Sequence, residues 1–293
     1  MSNWHIIADQ LGGNEATARA VHEYLHHYGY LCGNVLSGAV NPADARVTIA
    51  EAVANVQTIT GRPATGELDA DTYAAMCRPR CGCLDVQRSL AESLRWRKQE
   101  LTYTVERYVN RLSQSTQDDI FEAAFAAWES VAAIKITRVI GGSRADITIS
   151  AGSGPSDNFD GPSGVLAWAY MPTGQDSPLQ MKFDLAEPWT HDATAAGVLL
   201  LNVACHEFGH LLGLEHSRNP KALMAPYYSP AISVPQADDD IPRIRALYGP
   251  AGPAAPQPPT SPPIAPGRKV VIFEIAGDIE KIMCPGDTIT KNR

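Results

Sequence analysis

No apolar run in this 293-residue chain approaches the ~20 residues needed to span a bilayer as a helix. The longest, around Gly197–Ala204, reads instead as the start of a buried helix. Basic residues are in the minority, with 24 Lys and Arg against 32 Asp and Glu and a net charge of −8. A nucleic-acid binder would show a basic face, so that class is set aside, although the acid excess selects no substrate. The first residues, MSNWHIIADQ, lack the basic and then apolar regions of a secretory leader. That leaves an incomplete start, another export route or retention inside the cell. Histidine is scarce, at eight residues, and so is cysteine, at six. Cys77, Cys81 and Cys83 crowd into one short stretch, too close for an ordinary disulfide framework, so the pairing of Cys32, Cys77, Cys83 and Cys284 stays open. No repeat of 20–50 residues occurs.

What is present fits a globular protein with one good core and a smaller one, at 31.5 kDa and 44% apolar residues. Residues 15–31 and 48–60 carry apolar residues at helical spacing. Gly61 and Pro63 stop the second helix, and Asp69 or Asp71 caps a third over Thr72–Met76. The first ~77 residues therefore read as a small three-helix unit. Further on, 101–109 predicts a strand and 117–132 an amphipathic helix with acids in its first turn. Residues 145–150 and 165–170 alternate as strands, 194–213 is a long apolar helix, and Ile241–Leu247 is a last helical piece. The pattern is mixed α and β, one helix backing a sheet and another carrying chemistry. Residues 250–266 hold eight of 22 prolines, an extended linker. Residues 268–293 contain one predicted strand, KVVIFEI, and are too few to bury a core.

The chemistry concentrates in HEFGHLLGLEH, His206–His216. His206 and His210 are four apart, so on a helix they stack on one face. Gly213 ends that helix at no steric cost, and the turn brings back His216. Three neutral nitrogens suit zinc and leave a fourth position open, as catalytic sites do. Zinc lowers the pKa of its water and polarises a carbonyl. Glu207, beside the first histidine, would accept the water's proton and pass it to a leaving amine. Peptide-bond hydrolysis follows from those parts. Met224 lies eight residues beyond His216, and alone it would be loop filler. Cys81, in PRCGCLD, is read from spacing either as a thiolate ligand closing the open position or as a structural or disulfide thiol. Arg80 and Asp85 are placed to pair and hold that loop.

These motifs together resemble the matrix metalloproteinases, or matrixins, of the metzincin clan. HExxHxxGxxH followed by a Met-turn is the metzincin signature, and PRCGCLD is similar to the PRCGxPD cysteine switch, departing at Leu84 and adding Cys83. Residues 54–76 resemble the family's propeptide, itself similar to peptidoglycan-binding modules. ADITI, FDGPSGVLAWAY, KFDLAEPWT and DDDIPRIRALYG carry the likeness to Gly249. The resemblance implies an α+β metzincin catalytic domain, a twisted, mostly parallel five-stranded sheet with three helices, over residues 88–249. It would follow a three-helix propeptide, 1–87, and precede a linker, 250–267, and a short extension, 268–293. It implies a monomeric zymogen, one of the extracellular-matrix type, that hydrolyses proteins and is silenced by Cys81 until an activating protease removes the propeptide; the polar sequence after the switch puts the expected cut near Val86–Arg88.

Residue by residue, the resemblance makes His206, His210 and His216 zinc ligands, Glu207 the acid/base, and Met224 the Met-turn. Asp160, Asp184 and Glu187, with carbonyls of Gly161, Ser163 and Val165, match a calcium loop, and oxygen donors suit calcium. Without the resemblance they read equally as a solvated acidic loop. Leu166 and Ala167 lie on the edge strand Val165–Tyr170, where a substrate would add as a strand. Pro226 and Tyr228 would wall a pocket for an apolar P1′ side chain. The family's second, three-histidine zinc site is missing: Trp168 and Lys182 stand at two of its positions, the third falls among Gly152–Pro155, and outside the propeptide and the catalytic trio only His191 remains. One zinc per molecule is expected, with the loop at 151–164 leaning more on calcium. The extension is too short for a hemopexin-like domain, which implies smaller or unfolded substrates. The competing reading is a cell-wall or glycan-binding module with a secondary or silent protease domain.

Overall fold

The computed structural model describes residues 15–31, 48–86, 95–140 and 144–252. The extension with its predicted strand, Cys32 and Cys284 lie outside them, as do residues 87–94, where the boundary between the first two domains was expected.

Among the described residues the first unit shows the three helices that the periodicity predicts: α1 (Glu15–His27), α2 (Ile49–Ile59) and α3 (Ala70–Met76). α1 buries Ala18, Val21 and Leu25, three and four apart. α2 opens with a capping box, Thr48 accepting from Glu51 and the Glu51 carboxylate accepting from Thr48. α3 is capped by Asp69, whose carboxylate accepts from Thr72 N at 2.6 Å. The buried Gln57 amide ties the intervening loop, donating to Thr65 Oγ1, Glu67 O and Thr72 Oγ1 and accepting from Gly66 N.

The second unit is a sheet built from β1 (Arg80–Cys81), β2 (Glu100–Val105), β3 (Lys135–Arg138), β4 (Ile147–Gly152), β5 (Val165–Ala169) and β6 (Leu179–Asp184), in the order β1-β5-β6-β4-β2-β3. All neighbours are parallel except β5 and β6. Five strands form the expected mostly parallel sheet, and the sixth, β1, is the segment of the cysteine motif laid along the β5 edge. A small ribbon pairs β7 (Trp189–Thr190) with β8 (Val198–Leu199). Three helices complete the fold: α4 (Gln114–Glu129), α5 (Leu200–Leu211) and α6 (Asp240–Tyr248).

The differences from the sequence reading have local causes. α4 begins at 114 because Ser113 caps it, accepting from Thr116 N at 3.1 Å, so Asp118 and Asp119 fall beyond its first turn. α5 begins six residues later than expected. Asp192 holds a turn by accepting from Thr194 N, Gly197 takes φ 148°, and the next two residues are spent on β8. β3, β7 and β8 are too short to announce themselves.

α5 is held by aromatics. Phe125 of α4 stacks on Phe208 of α5 with centroids 3.6 Å apart. Trp128 donates to Cys205 O at 2.8 Å, and Trp96 to Leu211 O at 2.7 Å. These indole bonds satisfy buried N–H groups and fix the helix that carries the histidines.

Candidate metal centre

Cys81, His206, His210 and His216 are all buried, and one donor atom from each lies within 4.8 Å of the others. α5 gives the first two histidines. The chain then leaves the helix through Gly213, at φ 98°, and returns His216. His206 Nδ1 meets Leu223 O at 2.7 Å and His210 Nδ1 meets Leu214 O at 2.7 Å. With each Nδ1 committed to a carbonyl, each Nε2 is left to face inward, the arrangement that orients metal-bound histidines. Burial, then the neighbouring imidazoles, holds His206 well below the usual histidine range, so it stands neutral, as a ligand must.

Met224 lies beneath. A Cβ on Gly209 would come within 2.3 Å of Met224 Sδ and 2.9 Å of Trp128 Cζ2, so only glycine admits the sulfur so close to α5. The turn that carries Met224 is pinned by Asp240 of α6, a buried carboxylate accepting from Leu223 N, Met224 N and Gln236 N. The sequence reading had not singled out Asp240.

Both Glu207 oxygens are buried without a protein partner, as are His206 Nε2 and His216 Nε2. Unpartnered buried polar atoms are costly, and a cation bound among them removes the cost. Burial, then the nearby Cys83 thiol, pushes the Glu207 carboxyl up to about 8. Three imidazoles, one thiol and a carboxylate are a donor set that fits zinc.

Cys81 Sγ lies 3.5 Å from His210 Nε2. The surrounding segment fills the cleft. Arg80 N donates to Gly164 O, Gly82 N to Ala167 O, Cys81 N to Pro226 O, and Tyr228 N to Pro79 O. It thus bonds to both the β5 edge and the 226–228 wall. Arg80 and Asp85 pair at 2.5 Å with both side chains fully buried, as expected. Asp85 also lies 2.7 Å from His216 Nδ1. Burial alone would raise the Asp85 pKa, but the Arg80 and His216 contacts outweigh it and leave about 2. Sequence reasoning missed the aromatic box around Arg80. Its guanidinium sits 3.4 Å over the Tyr28 ring and 4.9 Å from that of Tyr227, and it donates to the Tyr24 hydroxyl, which bonds Tyr227. The spacing of Tyr24 and Tyr28, four apart on α1, was the available signal. Leu84, at the family's proline position, is exposed.

Of the remaining cysteines, Cys77 is disulfide-bonded, whereas Cys81, Cys83 and Cys205 are free. Cys83 joins Cys81, Glu207 and His210 in a second group whose donor atoms lie within 4.8 Å of one another. Contact with Cys81 holds the Cys83 thiol below its usual range, while burial pushes Cys81 up.

The proposed calcium ligands gather more loosely. Asp160 Oδ1 accepts from Val165 N at 2.8 Å and Glu187 Oε1 from Ser163 N at 2.7 Å, while Asp184 Oδ2 is buried without a partner. Burial raises all three carboxyls, Glu187 to about 7. The trio is not among the groups whose donors converge within 4.8 Å. Elsewhere on the sheet, Lys182 Nζ pairs with Asp157 Oδ1 at 2.6 Å. Trp168 Nε1 donates to Asp157 O at 2.8 Å, and the lysine lies 5.8 Å from the Trp168 ring. His191 is exposed in the turn after β7.

Leu166, Pro226 and Tyr228 line one pocket with His206, Glu207 and Asn202. The Tyr228 hydroxyl accepts from Leu199 N at 3.0 Å, and Asn202 donates to Ser229 O and Pro230 O. Ala167 contributes its backbone to β5 beside it.

Comparison with known proteins agrees with this geometry. The Matrixin family model matches residues 95–249. The chain is 36% identical over 243 residues to hatching enzyme of Paracentrotus lividus, covering 81% of this chain and 40% of that protein. It is 34% identical over 251 residues to stromelysin-1 of Mus musculus, covering 83% and 51%. It is 36% identical over 236 residues to matrix metalloproteinase-20 of Homo sapiens, covering 78% and 46%. The chain thus spans about half the length of these relatives.

Proposed function

The chain belongs to the matrixin family, and from that premise we propose that it is a zinc-dependent endopeptidase made as a latent zymogen, with Cys81 as the latency ligand. The observation that carries this is the convergence of three histidines, Cys81 and an unpartnered Glu207 on one buried point. His206, His210 and His216 would hold one zinc. Bound there, zinc supplies a Lewis acid and a water of lowered pKa. Glu207, buried beside the site, would take the proton of that water and return it to the leaving amine. Substrate backbone adds to the β5 edge at Leu166 and Ala167, where β1 lies in the latent form, and an apolar P1′ side chain enters the pocket walled by Pro226 and Tyr228. Removal of residues 1–87 by an activating protease frees that edge and the open position together.

Calcium, held by Asp160, Asp184, Glu187 and carbonyls of Gly161, Ser163 and Val165, would brace the loop before β5. The unpartnered Asp184 Oδ2 and the raised carboxyls support this reading. We place the protein outside the cell as a monomer, on the family likeness. Among the described residues no helix is long and apolar enough to cross a membrane. The wall-binding alternative rests on the likeness of the first unit to peptidoglycan-binding modules, but its tyrosines are spent on Arg80.

Cleavage of a quenched fluorescent peptide with an apolar P1′ residue tests the proposal. Full-length protein is expected to be silent, to awaken with a thiol-reactive mercurial, and to lose activity with chelator or Glu207→Ala. Silence in every form despite bound zinc would return weight to the wall-binding reading.

A further inference from the structure

Cys83 has no part in the mechanism above, yet it stands at its centre. Its thiol belongs to the four-donor group with Cys81, His210 and Glu207, so the two sulfurs lie within 4.8 Å of each other. Cys83 N donates to Cys81 Sγ at 3.3 Å. Its own sulfur donates to Ala169 O at 3.2 Å and accepts from Ala169 N at 3.4 Å, which parks it at the end of β5. Cys81 is buried, whereas Cys83 is partly exposed. Of the two cysteines, Cys83 is the less buried residue.

We propose that Cys83 is a modification site for small-molecule disulfides, and that its reaction closes a Cys81–Cys83 disulfide which withdraws Cys81 from the metal centre without proteolysis. The Cys83 thiolate attacks one sulfur of a disulfide RSSR, forming a Cys83–SR mixed disulfide and releasing RS⁻. The Cys81 sulfur then attacks the Cys83 sulfur, forming the Cys81–Cys83 bond and releasing the second RS⁻. Two electrons pass from the cysteines to RSSR, and both RS⁻ leave as thiols. A disulfide sulfur carries no thiolate charge and is a poor zinc ligand, so the open position is vacated. A reductant restores both thiols and, with the propeptide still attached, restores latency. A single cysteine could carry only an adduct; the second makes the change internal and reversible. The inference rests on the reading of Cys81 as the latency ligand.

The test uses full-length protein, with cobalt replacing zinc in one sample, treated with oxidised glutathione. Expected are a Cys81–Cys83 disulfide in the peptide map, loss of two titratable thiols, no retained glutathione and loss of the sulfur-to-cobalt charge-transfer band. A phosphine reductant is expected to reverse all of these. Peptidase activity in the zinc sample should rise to that of mercurial-treated protein. Cys83→Ser is expected to stay latent, form no internal disulfide and keep the band unless glutathione remains attached to Cys81. Unchanged thiols and band, a stable glutathione adduct on Cys83 alone, or a new pairing of Cys77 with Cys83 would each overturn the inference. If mercurial still awakens the enzyme in those cases, the protease reading survives. If the disulfide forms and the band is lost but neither treatment yields activity, the inference stands and the protease reading falls.

Discussion

Two corners of the catalytic unit treat charge in opposite ways. Around α5, His206, His216 and Glu207 leave buried polar atoms without protein partners. Around β6, Lys182, Asp157 and Trp168 satisfy one another through an ion pair, an indole hydrogen bond and a lysine lying toward a ring. The first arrangement is costly unless a cation arrives. The second brings its own cation as a side chain. The contrast is between a cluster of buried atoms that a cation would satisfy and one that is already paired internally.

Breaking the first corner should have the largest effect. In protein trimmed of its propeptide, Glu207→Ala should lower kcat/KM by roughly 10²–10⁴-fold, the usual weight of a positioned acid/base group, with zinc content unchanged by atomic absorption. Loss of zinc along with activity would mean that Glu207 is structural. The lock over that corner comes next. Arg80→Ala leaves Asp85 fully buried beside His216 with its main counter-charge gone. Breaking such a pair costs about 3–5 kcal/mol, enough to undock the segment, and full-length protein should show basal cleavage. Acid does the same more gently. Asp85 sits at about 2 against an ordinary 3.8. Because its folded pKa is depressed, its contribution is complete above about 4 and is lost as pH falls toward 2. Latency followed by cobalt–sulfur absorption should hold at pH 5 and fail in that acid window.

The second corner should yield less. Lys182→Met removes the ion-pair partner of Asp157, but both side chains keep about a quarter of their exposure, so only a small drop in Tm is expected. Zinc stoichiometry should stay at one. A collapse of the fold, or a second zinc taken up by the variant, would undo the contrast between the corners.

The sequence disclosed the histidine corner almost completely, because spacing on a helix and a glycine at its end are local facts. It also disclosed the Arg80–Asp85 pair, five residues apart. It did not disclose the tyrosine box, whose members Tyr24, Tyr28 and Tyr227 come from opposite ends of the chain and meet only when the first unit docks. Asp240 was hidden for the same reason: the amides it accepts from belong to a distant loop with no pattern of its own. The strands β3, β7 and β8 are set by pairing with neighbours rather than by their own alternation. Lys182 could be seen to displace a histidine, but only the fold shows that its partner is Asp157.

The smallest effect belongs to the loop between the two corners, which is intermediate in kind: Asp160 and Glu187 accept backbone N–H bonds, while Asp184 Oδ2 has no partner. Glu187 is raised by burial to about 7 from an ordinary 4.5. A raised acid stays protonated in the fold at a pH where the unfolded chain has already ionised. The unfolded state then binds fewer protons, so stability falls as pH rises from about 4.5 to 7. The burial-raised carboxyls of Asp160 and Asp184 act in the same direction. A calcium ion among these carboxylates reverses the preference by favouring the charged forms. Thermal unfolding of the full chain across pH 4.5 to 7.5 should therefore show a declining Tm with a calcium-selective chelator, and a flat or rising one with calcium. Parallel curves would mean that the loop is closed by its backbone bonds alone, like the lysine corner beside it, and that the unpartnered Asp184 oxygen awaits no ion.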